Sequence, residues 1–198
     1  SQTEYAIDTT QSFISNGISN TALNLSASDK SVYYTWSSTY LDVNNANGGT
    51  VGMWMKTPSS LSGIDTYFFA GSTNTGDNLK VYYDATNKKL RFNIRKSGVD
   101  YYAEASITLS ASTWYQLSLA WKLGANAQLQ LYLNGNLLDA RTYSNISSLT
   151  TTSWYICVGA EKPTTTTYTN YSRAVIDRVK IYNSMRDSDK IAKDTYFW

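Results

Sequence analysis

Residues 114–136 read WYQLSLAWKLGANAQLQLYLNGN. In Trp114–Lys122 every second residue falls on one face: Tyr115, Leu117, Leu119 and Trp121. In Gln128–Asn134 the residues Leu129, Leu131 and Leu133 do the same. A period of two is that of a β-strand with one buried face, because successive side chains point to opposite sides of the chain. Asn134-Gly135, followed by NLLDA, is a hairpin signal, since both residues tolerate the positive φ of a tight turn.

The pattern repeats outward. Thr50–Lys56 (TVGMWMK) aligns Val51, Met53 and Met55, Leu79–Asp84 (LKVYYD) aligns Leu79, Val81 and Tyr83, and Leu90–Arg95 (LRFNIR) aligns Leu90, Phe92 and Ile94. Asn87 sits in the turn between the last two, and Ser97-Gly98 links LRFNIRK to VDYYAEAS. The only prolines, Pro58 and Pro163, fall between strands. Asp187–Asp194 (DSDKIAKD) has polar, helical spacing and predicts a short helix with Asp187 or Ser188 as N-cap. Glu161–Ser172 reads as a long polar loop or edge ribbon. About a dozen strands with almost no helix predict an all-β fold, a two-sheet antiparallel β-sandwich, in one domain over residues 1–198.

Composition narrows the chemistry. A chain of 198 residues buries roughly 70% of its unfolded surface and needs no disulfide or metal staple. Charged residues are only 16% and Tyr numbers 17, which suits sheets with polar, uncharged outer faces. There is no histidine; that excludes Ser-His-Asp and Cys-His catalysis and histidine-ligated zinc. The single Cys157 excludes an internal disulfide and reads as a small buried hydrophobe. Net charge is +2, without a basic run or a glycine-rich phosphate loop, so no nucleic acid partner is expected. No apolar run approaches the length of a membrane span. The chain shows no signal peptide and opens on Ser. It is read as a processed piece, and its Ser/Thr/Asn/Tyr surface points to an extracellular or surface-exposed setting. Sequons at Asn24, Asn145 and Asn170 are no more than such a composition gives by chance.

Four blocks, in order, carry a family resemblance. Thr21–Thr35 resembles the opening ALxFDGxxDYVxL of laminin-G-like domains, Thr50–Lys56 their FTISAWVK strand, Trp114–Asn136 their WHHVALTYDGxxLxLYVNGE, and Ala174–Asp189 their GxIDDVRIYNRALSDEE. The chain thus resembles the laminin-G-like jelly-roll branch of the concanavalin A-like lectin/glucanase superfamily. The resemblance implies two antiparallel sheets, often with a concave groove, and a non-catalytic extracellular carbohydrate-binding or adhesion module. A structural or receptor-binding protein of a virion or cell surface is the alternative, with a protein partner or a parent multidomain chain. A polysaccharide lyase or glycanase ranks third. Glycanases of this superfamily use an ExDxxE carboxylate pair about 5 Å apart. The only glutamates, Glu4, Glu104 and Glu161, do not form that motif. Asp187 and Asp189 read as helix caps. Lyases of similar fold use Tyr with His; a Tyr–Arg version stays open on composition.

Tight turns allow a register. A two-residue loop at Ser97-Gly98 sets Lys96 against Val99, Arg95 against Asp100, Asn93 against Tyr102 and Arg91 against Glu104. A symmetric Asp84–Lys89 turn sets Tyr82 against Arg91 and Lys80 against Asn93. One face then carries Lys80, Tyr82, Arg91, Asn93, Arg95, Tyr102 and Glu104. Two readings fit it. As a glycan site, with Tyr82, Arg91, Asn93, Tyr102 and Glu104 as ligand-binding residues, its rings stack on sugar C–H surfaces and its polar groups bond hydroxyls. As a solvated sheet, it carries ordinary cross-strand ion pairs. Loop aromatics Tyr33, Tyr34, Trp36, Tyr67, Tyr168 and Tyr171 form a second candidate site, or pack the sandwich ends. Trp54, Trp114 and Trp121 read as core.

In Val175–Asn183 alternation groups Asp177 with Val175, Val179 and Ile181, on the inward side. A carboxylate there needs compensation, and calcium, an Arg or Lys, or backbone N–H groups can supply it. The resemblance agrees with structural calcium, because laminarinase-type glucanases place a calcium ligand at the Asp of VDYVRVY. Asp8 and Asp29 are the further ligands considered.

Overall fold

All five alternating segments become strands. The computed structural model describes residues 12–18, 20–25, 31–35, 41–72, 76–152, 154–161 and 169–196. Its strands are β1 (Ser12–Gly17), β2 (Asn20–Asn24), β3 (Val32–Thr35), β4 (Gly49–Lys56), β5 (Ile64–Ser72), β6 (Asn78–Asp84), β7 (Lys89–Lys96), β8 (Val99–Ser106), β9 (Trp114–Lys122), β10 (Gly124–Leu133), β11 (Asn136–Ile146), β12 (Trp154–Val158) and β13 (Val175–Tyr182). One helix, α1 (Ser188–Tyr196), follows. Seven strands form one sheet in the order β1-β2-β13-β4-β9-β10-β11, and six form the other as β3-β12-β5-β6-β7-β8. The strand pairings are antiparallel.

The inner faces meet in one core. Val51, Met53 and Met55 of β4, Leu117, Leu119 and Trp121 of β9, and Leu129, Leu131 and Leu133 of β10 face Leu79, Val81, Leu90, Phe92 and Ile94 of the second sheet. Each fully buried side chain of this size contributes roughly 1.5–3 kcal/mol. Trp121 anchors the layer: its Nε1 donates to the Val43 carbonyl at 3.1 Å. Its ring lies over Gly49, where an added Cβ would overlap it. Cys157, on the opposite side of β12 from Ile156 and Val158, is buried between β3 and β5.

Trp54 and Trp114 do not join Trp121. They are half-buried. Trp54 lies opposite Gln116 and Trp114 opposite Lys56, with parity opposite to Met53 and Leu117, so both stand on the outer face of the seven-stranded sheet. Part of that outer face is covered by α1, where Ile191 packs with Ala120, Tyr132 and Met185. Asp187 caps the helix, its Oδ1 accepting the Lys190 N–H at 2.9 Å.

The free edges of the two sheets are tied by side chains. The Tyr143 hydroxyl of β11 accepts the Tyr102 N–H at 3.0 Å and donates to the Tyr102 carbonyl at 2.8 Å. Asp139 Oδ2 accepts the Glu104 N–H at 2.9 Å. Outward-pointing backbone groups of β8, which a further strand would otherwise pair, are thereby satisfied.

Bulges displace two readings. In β13, Asp177 pairs Trp54 and Lys180 pairs Gly52, with a register shift between them, and Arg178 takes a φ of 51°. The extra residue reverses the parity downstream. Ile176 and Ile181 both face core-side residues of β4, Met55 and Val51. Asp177 is therefore on the outer face beside Trp54, not on the inward side, although it is only 7% exposed. In β5, a shift between Thr66 and Phe68 turns Tyr67 and Phe68 together into the core. Tyr67 is thus a buried strand residue, not a loop aromatic.

Candidate functional site

The predicted pairing across β6, β7 and β8 is the one observed. Tyr82 faces Arg91 and Lys80 faces Asn93. Arg91 faces Glu104, Asn93 faces Tyr102 and Arg95 faces Asp100. The two-residue loop has Ser97 at φ 49° and Gly98 at φ 83°, the left-handed geometry whose twist matches the flanking strands. With Leu90, Phe92 and Ile94 inward, the alternate residues are forced onto the outer face.

That face holds a groove of about 300 Å³, lined by Phe69, Gly76, Asn78, Lys80, Tyr82, Arg91, Asn93, Arg95, Asp100 and Glu161. Of the expected ligand-binding residues, Tyr82, Arg91 and Asn93 line it directly. Arg91 sits between two rings, its guanidinium carbon 4.4 Å from the Tyr102 centroid and 5.8 Å from that of Tyr82. Lys80 Nζ lies 5.1 Å from the Tyr82 centroid. The Tyr82 ring is therefore engaged by cations, and Tyr102, 39% exposed, offers the more open ring beside the groove. Burial raises the Tyr82 phenol above its ordinary value, against the opposing charge of Arg91.

Glu104 supports Arg91. Its Oε2 accepts the Arg91 Nε at 2.6 Å and also contacts Nη2, and its Oε1 lies 3.0 Å from Lys89 Nζ. Burial opposes ionisation, but the hydrogen bonds from Lys89 and Arg91 outweigh it and hold Glu104 below its ordinary value. A carboxylate so held is ionised at neutral pH, which does not suit a general acid.

Asn93, 3% exposed, donates from Nδ2 to Asp100 Oδ1 at 3.1 Å. Arg95 Nη1 reaches Asp100 Oδ2 at 3.2 Å. Glu161 closes the other side. Its Oε1 accepts Lys80 Nζ at 2.9 Å and the Thr66 hydroxyl at 3.2 Å, while its backbone pairs Thr169 in both directions. Glu161, Phe69 and Asn78 were not read from the sequence as site residues. The register already puts Asn78 and Asp100 on this face; Phe69 arrives through the β5 bulge, and Glu161 from a distant loop.

Of the second aromatic candidate, Tyr67 is buried in the core. Tyr33 and Tyr34 belong to β3, Tyr171 bridges Thr66, and Trp36 and Tyr168 lie outside the described residues. No three His, Cys, Asp or Glu side chains gather into a metal cluster among the described residues. Asp8 and Asp29 lie outside them.

The family described as Concanavalin A-like lectin/glucanases superfamily matches residues 27–192. No curated protein matches the sequence significantly. Among solved structures, the Ruminococcus gnavus IT-sialidase CBM40 bound to alpha2,3 sialyllactose superposes with a TM-score of 0.62 at 19% identity, covering 78% of this chain and 85% of that one. The receptor binding domain of botulinum neurotoxin C/D mosaic serotype gives 0.70 at 14% identity, covering 93% of this chain and 44% of that one. A native heptameric SAP-like pentraxin from Limulus polyphemus gives 0.57 at 13% identity, covering 76% and 70%. This chain spans less than half the length of the toxin domain.

Proposed function

Since the chain belongs to the Concanavalin A-like lectin/glucanases superfamily, we propose that it is a non-catalytic carbohydrate-binding module whose glycan lies in the groove across β6, β7 and β8. The observation that carries this reading is the groove itself: donors and acceptors of Arg91, Asn93, Arg95 and Asp100 stand side by side beside the stack of Tyr82, Arg91 and Tyr102. A sugar ring needs both, an apolar surface for its C–H face and convergent polar groups for its hydroxyls. Among similar structures, one module is bound to alpha2,3 sialyllactose and others are receptor-binding domains, which supports a glycan as the ligand class. An extracellular or surface setting, and a role in adhesion, accompany this reading.

A glycan array followed by calorimetry on the retained ligand tests it. Arg91→Ala and Tyr102→Ala each weaken binding by about 1–3 kcal/mol, the cost of removing one partner from a desolvated contact. If both variants bind like the parent, the face is scaffold and the ligand sits elsewhere.

A further inference from the structure

We infer, resting on the glycan reading above, that the groove selects uncharged glycans, and that Glu161 and Asp100 are the residues that set this selectivity. The groove is rich in charge, and every cation in its lining is ion-paired. Its lining cations are Lys80, Arg91 and Arg95. Each meets a carboxylate: Lys80 meets Glu161 at 2.9 Å, Arg95 meets Asp100 at 3.2 Å, and Arg91 meets Glu104, which it shares with Lys89. Two of these carboxylates, Glu161 and Asp100, line the groove themselves.

A sugar bearing a carboxylate or sulfate would meet cations whose charge is already offset. It would also approach Glu161 or Asp100, and like charges brought together in a partly desolvated site oppose binding. A neutral polyol meets a different surface. Each ion pair presents N–H donors next to carboxylate lone pairs. Adjacent hydroxyls of a sugar donate to one and accept from the other. Arg95 and Asp100 are both 44% exposed and within reach of such a ligand. Discrimination of this kind lies in the repulsive element as much as in the attractive one.

The test uses one set of neutral oligosaccharides and the sialylated, uronate-bearing and sulfated versions of the same backbones. The parent protein is measured at low and high salt, beside Glu161→Gln and Asp100→Asn. The two variants are independent: Glu161 also holds Thr66 and the base of its loop, whereas Asp100 stands on the β7–β8 hairpin. Far-UV circular dichroism and a melt check that each is folded. The parent is expected to hold the neutral members at least about tenfold more tightly than the anionic ones. That binding should change little with salt, since no net charge is neutralised. Each variant leaves a cation unmatched and shifts the anionic-to-neutral ratio upward by about tenfold. Preference of the parent for anionic members, with affinity falling steeply in salt, overturns the inference and leaves the glycan groove standing. So does an unchanged ratio in both folded variants. Retention of no member of the panel overturns the glycan reading along with it.

Discussion

Asp77 shows how much one residue can hold together without announcing itself in the sequence. It is buried, its Oδ1 accepts the Ser97 N–H at 2.8 Å, and its Oδ2 accepts Lys96 Nζ at 2.9 Å and the Thr150 N–H at 2.8 Å. Burial works against its ionisation, but these donors together hold its carboxyl below an ordinary 3.8. A carboxylate lowered on folding contributes stability that is complete above its unfolded value and fades as pH falls through the native one. Thermal melts of the parent should therefore decline on acidification below that ordinary value. Asp77→Asn should flatten the decline and cost about 3 kcal/mol at neutral pH, because Lys96 loses its buried partner. An equal acid dependence in both proteins would assign the decline elsewhere. No spacing rule could have found Asp77, since its partners come from two other loops. Asp177 is the opposite case: it stood out in the sequence, but for a parity that the Arg178 bulge cancels. The calcium proposal there predicts that excess Ca²⁺ after EDTA raises the melting midpoint, and that Asp177→Ala removes the rise. An unmoved midpoint removes calcium from the account.

Elements were legible where a turn fixed the register. The pairing of β7 with β8 follows from two residues, Ser97 and Gly98, because a two-residue loop leaves one register that keeps Leu90, Phe92 and Ile94 inward. The groove face was readable for that reason. Bulged strands were not: Tyr67 in β5 and Arg178 in β13 obey tertiary demands that alternation does not encode. Nor was the contact of β11 with β8, in which a side chain does the work of a neighbouring strand. Tyr143→Phe strips the hydroxyl that serves both the N–H and the carbonyl of Tyr102. It should lower stability by about 1–3 kcal/mol, and the Tyr102 amide should lose most of its protection from hydrogen exchange. Unchanged protection would show that solvent replaces the hydroxyl at no cost.

At the scale of the molecule, one continuous core joins both sheets, and the strands that pair are often far apart in sequence, such as β2 with β13. The expectation of one domain over residues 1–198 predicts one unfolding transition, with calorimetric and van't Hoff enthalpies equal; two separable transitions would divide it. Closing such long loops before any contact is gained also makes folding slow, in the millisecond-to-second range common to β-sandwiches, with a relative contact order of about 0.16–0.22. The chain carries its own reporter for that process. Its only thiol, Cys157, lies buried in β12 between two hydrogen-bonded neighbours. A water-soluble thiol reagent can reach it only when its surroundings open. Its rate of modification is then a clock for local opening around β12, read in the native protein with no label introduced and no second cysteine to confuse the count.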